Sequence, residues 1–176
     1  MRLFISIRVP RCEAMDALMK DVAGIKGIRP SPAGQTHITL LFLGETDERD
    51  VPRVVKAVRK ASEGVGPFEI TIKGVGAFPD VRRPRVVWTG AEPADVLTRL
   101  SKGIASNLSG IDYDSKPFKS HITVGRCQGP VDVSGLVERH SGEEMARFVC
   151  DGILVMKSVL GPSGAKHSVV ERIPLE

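Results

Sequence analysis

Several things are missing from this sequence, and each absence narrows what it can be. No apolar run is long enough to make a bilayer-spanning helix, so no membrane role is expected. Arg2 and Arg8 bracket too short an apolar stretch for a secretory signal. Cysteine is scarce and odd in number: Cys12, Cys127 and Cys150. Without a signal these read as reduced thiols of a cytoplasmic protein. Their spacing fits no metal knuckle, and no metal site is expected. There is no P-loop and no G-x-G-x-x-G, so no ATP or other nucleotide cofactor is expected. The nucleophile elbow G-x-S-x-G is also missing, and no acidic residue is obviously paired with a histidine, which leaves covalent catalysis unsupported. No two of the four histidines lie two apart, which excludes an H-x-H-x-H nucleotide hydrolase.

What is present is ordinary globular material. The 176 residues suit one domain, 1–176, and 41% hydrophobic with 26% charged residues is too apolar for a disordered chain. The net charge of +4 permits an anionic partner. Arginine supplies much of it, including Arg82, Arg83 and Arg85, whose forks suit phosphate better than lysine does. That stretch reads either as a solvated basic loop or as a contact for an anionic partner.

The periodicity predicts strands over 3–9, 36–44, 68–75, 85–89, 120–126 and 169–174, with one long strand or two over 147–160. It predicts helices over 11–25, from a cap at Asp47 to about Ser62, from Pro93 to about Leu108, and around 134–139. Residues 76–84 read as a loop and 161–164 as a turn. The order recurs. His37 follows Phe4 by 33 residues and His121 follows Val87 by 34, each across strand, helix, strand. Ile70 follows His37 by 33, and Ile153 follows His121 by 32. Two units related by a pseudo-two-fold axis are expected.

The informative letters are His37-Ile38-Thr39-Leu40 and His121-Ile122-Thr123-Val124. Side chains alternate along a strand, so each motif puts His and Thr on one face and two apolar residues on the other. A two-fold axis could bring the polar faces together across a cleft. Imidazole titrates nearest neutrality, so one neutral and one protonated histidine make a base and an acid for phosphodiester chemistry. The threonine hydroxyls could donate to the non-bridging oxygens.

Paired H-x-T strands resemble the two-histidine phosphoesterases. MRLFISIRVP, THITLLFLGE, GVGAFPDVRRPRVVWTG, KPFKSHITVGR and LGPSG resemble, in order and over nearly the whole chain, blocks of the RNA 2′,3′-cyclic phosphodiesterases, the LigT-like or 2′-5′ RNA ligase family. The resemblance implies an α+β fold of two pseudo-symmetric lobes. Each would be an antiparallel sheet with helices on its outer face, and the histidine strands would face a central cleft. It implies hydrolysis of a 2′,3′-cyclic phosphate to a 2′-phosphate, and an association with ATP-independent, reversible 2′-5′ joining of RNA ends. By position His37 becomes the acid and His121 the base, with Thr39 and Thr123 on the phosphate. Substrates would be RNA ends, tRNA among them, or nucleotides, and the protein is expected to be a monomer. Arg126 occupies the family's arginine place, but strand parity puts it on the wrong face unless a bulge or strand end intervenes. Phe42 and Phe118 are either base-stacking rings or core, and Trp88 reads as core. His167 stands where the family carries tyrosine, and His140 reads as solvated. Two other readings fit the composition: a non-catalytic RNA-end-binding module, and a cyclic phosphodiesterase for a small nucleotide derivative.

Overall fold

The computed structural model of the protein describes residues 1–32 and 34–176. Strand β1 (Arg2–Arg8) is buried from Leu3 to Ile7, as a strand covered on both faces must be. Helix α1 (Glu13–Ala23) buries Met15, Leu18 and Val22 along one stripe and stops at Gly24. Strand β2 (Ile28–Pro30) has no counterpart in the sequence pattern, because three residues before a loop carry no periodicity. Next come β3 (His37–Glu45), a 3₁₀ turn whose N-cap Asp47 accepts from Arg49 N–H, and α2 (Val51–Ala61). Beyond them lie β4 (Phe68–Phe78), β5 (Val86–Glu92), α3 (Ala94–Asn107), β6 (His121–Cys127) and α4 (Ser134–Arg139). Strands β7 (Glu144–Cys150), β8 (Gly152–Gly161) and β9 (Gly164–Pro174) close the chain.

Two antiparallel sheets result, in the orders β3-β1-β8-β9 and β2-β6-β5-β4-β7. Read outward from the histidine strands, β3-β1-β8-β9 matches β6-β5-β4-β7 strand for strand. This is the expected two-fold repeat, with β2 added beside β6. The sequence halves are not the lobes, however. The first half's β4 completes the second sheet, and the second half's β8 completes the first. The helices cross over too: α1 packs on β6 and β7, and α3 packs on β3. The second unit also carries β7 between its helix and its crossover strand. The stretch 147–160 is therefore two strands in different sheets, broken at Asp151.

Two boundaries differ for identifiable reasons. Residues Gly76 to Phe78, expected in a loop, continue β4 opposite Trp88, Val87 and Val86. Gly76 is no breaker there; it makes room for an indole. The last strand starts at Gly164 rather than 169, because the hairpin closes directly at the Gly161–Gly164 pair. His140, expected to be solvated, is clamped by Glu143 at 2.8 Å and Asp21 at 3.1 Å, tying the end of α4 to α1.

Candidate active site

Each histidine opens its strand, and the two strands have the same irregularity. Along both, exposure runs half-buried, buried, half-buried, buried, buried, exposed, starting at the histidine. Two consecutive buried residues break the alternation. The register explains why. Ser6 pairs with Thr39 but Ile5 pairs with Leu41, leaving Leu40 as an extra residue in β3. Trp88 pairs with Thr123 but Val87 pairs with Gly125, leaving Val124 extra in β6. Each is a β-bulge three residues after the histidine, and a bulge re-aims the side chains beyond it.

The bulges decide two candidates. Beyond Leu40, Phe42 pairs with Phe4 and turns to the histidine face, half exposed at 50%. Beyond Val124, Arg126 pairs with Val86, which shares a face with Trp88, the partner of Thr123. Regular parity would have sent Arg126 to the core; the bulge returns it to the face of His121 and Thr123. Phe42 and Arg126 are thus equivalent positions in the two units. Phe118 is half-buried and packs on the main core.

The carbonyl of each extra residue is bonded by a serine. Ser101 Oγ, buried on α3, donates to Leu40 O at 2.6 Å. Ser31 N–H donates to Val124 O at 2.9 Å, and Ser31 Oγ donates to Thr123 O at 3.1 Å.

The imidazoles are held alike. His37 Nδ1 donates to Gln35 O and His121 Nδ1 donates to Lys119 O, both at 2.6 Å and both two residues back. A carbonyl can only accept, so Nδ1 carries the proton in each ring and Nε2 is left for chemistry. Burial lowers the pKa of both from the ordinary imidazole value, because desolvation penalises the cation. For His37 the carbonyl bond pulls upward and nearby His167 pushes down again. For His121 the carbonyl bond likewise opposes burial, while Lys119 and Arg126 add to the lowering.

Rings brace the two imidazoles from outside the motifs. The Phe4 ring lies 5.1 Å from that of His37, and the Phe78 ring 5.3 Å from that of His121. Trp88 lies 5.1 Å from Phe78, and Lys119 Nζ sits 4.6 Å over the Phe78 ring. Trp88 is therefore on the cleft face rather than in the core. His167, from β9, stands edge-on to His37 at 5.4 Å and to Phe4 at 4.8 Å. Sequence reasoning gives His167 no such neighbour, because which strand lies beside which is not written locally.

The histidine strands belong to different sheets, yet their backbones approach within 8 Å. Ile38 with Leu40 and Ile122 with Val124 are buried in the core, while His37, Thr39, His121 and Thr123 are half-buried. Cys127, near the second motif, has its thiol pKa raised by burial and is a poor nucleophile. Among the described residues, no three His, Cys, Asp or Glu side chains cluster as metal ligands.

Residues 7–88 match the family model described as LigT like phosphoesterase. The RNA 2′,3′-cyclic phosphodiesterase of Archaeoglobus fulgidus is 33% identical over 168 residues, covering 93% of this chain and 94% of that one. The chain belongs to the LigT-like phosphoesterase family. The Thermus thermophilus RNA 2′,3′-cyclic phosphodiesterase is 29% identical over 99% of this chain and 90% of its own length. A crystal structure from Thermus thermophilus superposes with a TM-score of 0.82 at 31% identity, covering 99% and 98% of the two chains. E. coli LigT complexed with phosphate shares the fold, with a TM-score of 0.71 at 21% identity over 99% and 96%. The α+β two-sheet architecture is thus that of the LigT-like phosphoesterases.

Proposed function

We propose that this LigT-like phosphoesterase hydrolyses 2′,3′-cyclic phosphates at RNA ends or on nucleotides, using His37 and His121 as a metal-independent acid–base pair. The observation that carries the reading is the matched presentation of the two imidazoles. Each opens a bulged strand, each has Nδ1–H fixed by a carbonyl, and neither Nε2 has a hydrogen-bond partner among the described residues. A lone structural histidine would have no reason to be duplicated in this detail.

The step is a displacement at phosphorus. His121 Nε2 takes a proton from water as the water oxygen bonds to phosphorus. The bond from phosphorus to the 3′-oxygen breaks, and His37 Nε2–H protonates that oxygen, leaving a 2′-phosphate. Thr39 and Thr123 donate hydroxyl hydrogens to the non-bridging oxygens, where charge builds. Arg126 and Phe42, turned in by the bulges, hold the nucleotide. Support comes from relatives named RNA 2′,3′-cyclic phosphodiesterase, and from E. coli LigT, crystallised with 3′-AMP.

The test is turnover of a 2′,3′-cyclic nucleotide in the presence of a chelator. His37→Ala and His121→Ala should each lower kcat about 10² to 10⁴-fold, the usual worth of one acid–base group. The double variant should lose less than the product of the two, because the pair acts as a unit. Tight binding of 3′-phosphorylated RNA with no turnover would instead favour a non-catalytic RNA-end-binding module.

A further inference from the structure

The two imidazoles share one kind of backbone anchor, but the residue that provides it differs. In the first unit it is Gln35, which is uncharged; in the second it is Lys119. The segment around Lys119 is fixed to the sheet. Ser120 accepts from Ala91 N–H on β5 at 3.3 Å, and its Oγ donates to the Ala91 carbonyl. From that fixed backbone the lysine side chain reaches Phe78, with Nζ 4.6 Å from the centre of the ring. A cation over a ring face is attracted by the ring's quadrupole. Phe78 in turn stands edge-on to His121, with ring centres 5.3 Å apart. The ammonium is therefore no farther from the imidazole than these two separations together.

Charge is what distinguishes the two histidines. The cations acting on His121 are Lys119, before β6, and Arg126, farther along it; no carboxylate acts on it among the described residues. From β4 and β5 it meets Phe78 and its register partner Gly90, neither charged. The approaching strand β3 contributes His37, and β2 meets β6 only from Gly125 to Cys127. His37 has one titratable neighbour, His167 on β9, which burial holds below the ordinary imidazole value and so uncharged at neutral pH. A cation beside an imidazole disfavours its second proton. We infer that Lys119 is a positioning residue for the reaction: seated on Phe78, it holds that ring against His121 and keeps this imidazole, rather than His37, the proton acceptor. The inference rests on the cyclic phosphodiesterase reading and adds the residue that breaks the symmetry of its histidine pair. Arg126 acts in the same direction from the other end of the strand.

The experiment titrates both imidazoles by NMR in the unligated full chain and follows kcat/KM against pH on a 2′,3′-cyclic mononucleotide. The variants are Lys119→Met, which keeps the apolar stem, and Lys119→Arg, which keeps a charge able to sit on a ring. A unit charge at about 10 Å, with an effective dielectric between about 20 and 80, changes a proton-binding constant by roughly 2- to 15-fold. Lys119→Met should raise the proton affinity of His121 by that factor and leave His37 unmoved. The acidic limb of kcat/KM should shift to higher pH with His121, so the rate below that limb falls by the same factor. Lys119→Arg should return both to their wild-type positions. In a Phe78→Leu background, which removes the seat, Lys119→Met should move His121 less than it does alone. A His121 titration unmoved in Lys119→Met, or moved as far in Lys119→Arg, would overturn the role of the charge. Equal movement of His37 would overturn its selectivity for one histidine. The titration needs no turnover, so it judges Lys119 even if the wild type hydrolyses no cyclic phosphate, a result that would break the phosphodiesterase reading alone.

Discussion

Gly76 carries no chemistry, yet replacing it with alanine should slow the reaction. A Cβ at Gly76 would lie 2.7 Å from Cε2 of Trp88 and closer still to the six-ring carbons Cζ2 and Cη2. Real carbon contacts do not come that near, so the indole must tilt away from β4. Nothing polar opposes the tilt, because Trp88 Nε1 is buried without a hydrogen-bond partner among the described residues. Trp88 backs Phe78, and Phe78 backs His121, at ring separations of 5.1 and 5.3 Å. Overpacking of this kind costs about 1–3 kcal/mol of stability, and tilting the chain of rings moves the His121 imidazole. Displacements of about 1 Å can cost on the order of 10²-fold in rate. The expected result for Gly76→Ala is a fall in kcat of about 10- to 100-fold with a smaller change in KM, and a loss of about 1–3 kcal/mol in urea unfolding. Trp88→Phe in the same background shortens the ring and should restore much of both. Full activity and full stability in Gly76→Ala would refute the bracing of His121 by Trp88 and Phe78.

Other outcomes rest on the same geometry. Burial lowers the pKa of both His37 and His121, so both limbs of the kcat/KM profile for a cyclic mononucleotide should lie acid of the ordinary imidazole value of about 6.5. The kcat limbs should lie higher, because bound phosphate favours the imidazolium. Stability has the matching sign: with lowered folded pKa values, the unfolded chain binds more protons just below pH ~6.5. Melting temperature should therefore fall as pH drops from about 6.5 towards the folded values, and a flat profile would contradict the desolvation. Ser101→Ala should cost about 1–3 kcal/mol, because it orphans the Leu40 carbonyl at the bulge, measured by urea unfolding. Replacing Arg82, Arg83 and Arg85 with alanine should flatten the salt dependence of RNA binding by roughly two units. The loop should keep its shape, since Asp80 accepts from the backbone N–H groups of Arg82 and Arg83.

Local letters reveal much of this molecule, and the reason is physical. His37-x-Thr39 and His121-x-Thr123 lie on strands whose alternation is a property of the chain itself, so their shared face can be read without a fold. The helices of 51–61 and 94–107 are equally legible from apolar spacing and capping. Arg126 marks the boundary of that legibility. Parity alone places it on the wrong face, and only a bulge, created by pairing with β5, brings it back. The place of His167 beside His37 and Phe4 is hidden because it comes from long-range strand order, β9 beside β8. The exchange of strands and helices between the sheets is hidden for the same reason. Periodicity specifies an element, but the partner it packs against is chosen by the whole chain.

The paired imidazoles are tested most directly by a crystal structure with inorganic phosphate. One anion should sit in the space between the sheets, with His37 Nε2 and His121 Nε2 each about 3 Å from one of its oxygens and both threonine hydroxyls donating to it. Two imidazoles that open onto separate surfaces, or an anion held by one histidine alone, would contradict the paired mechanism.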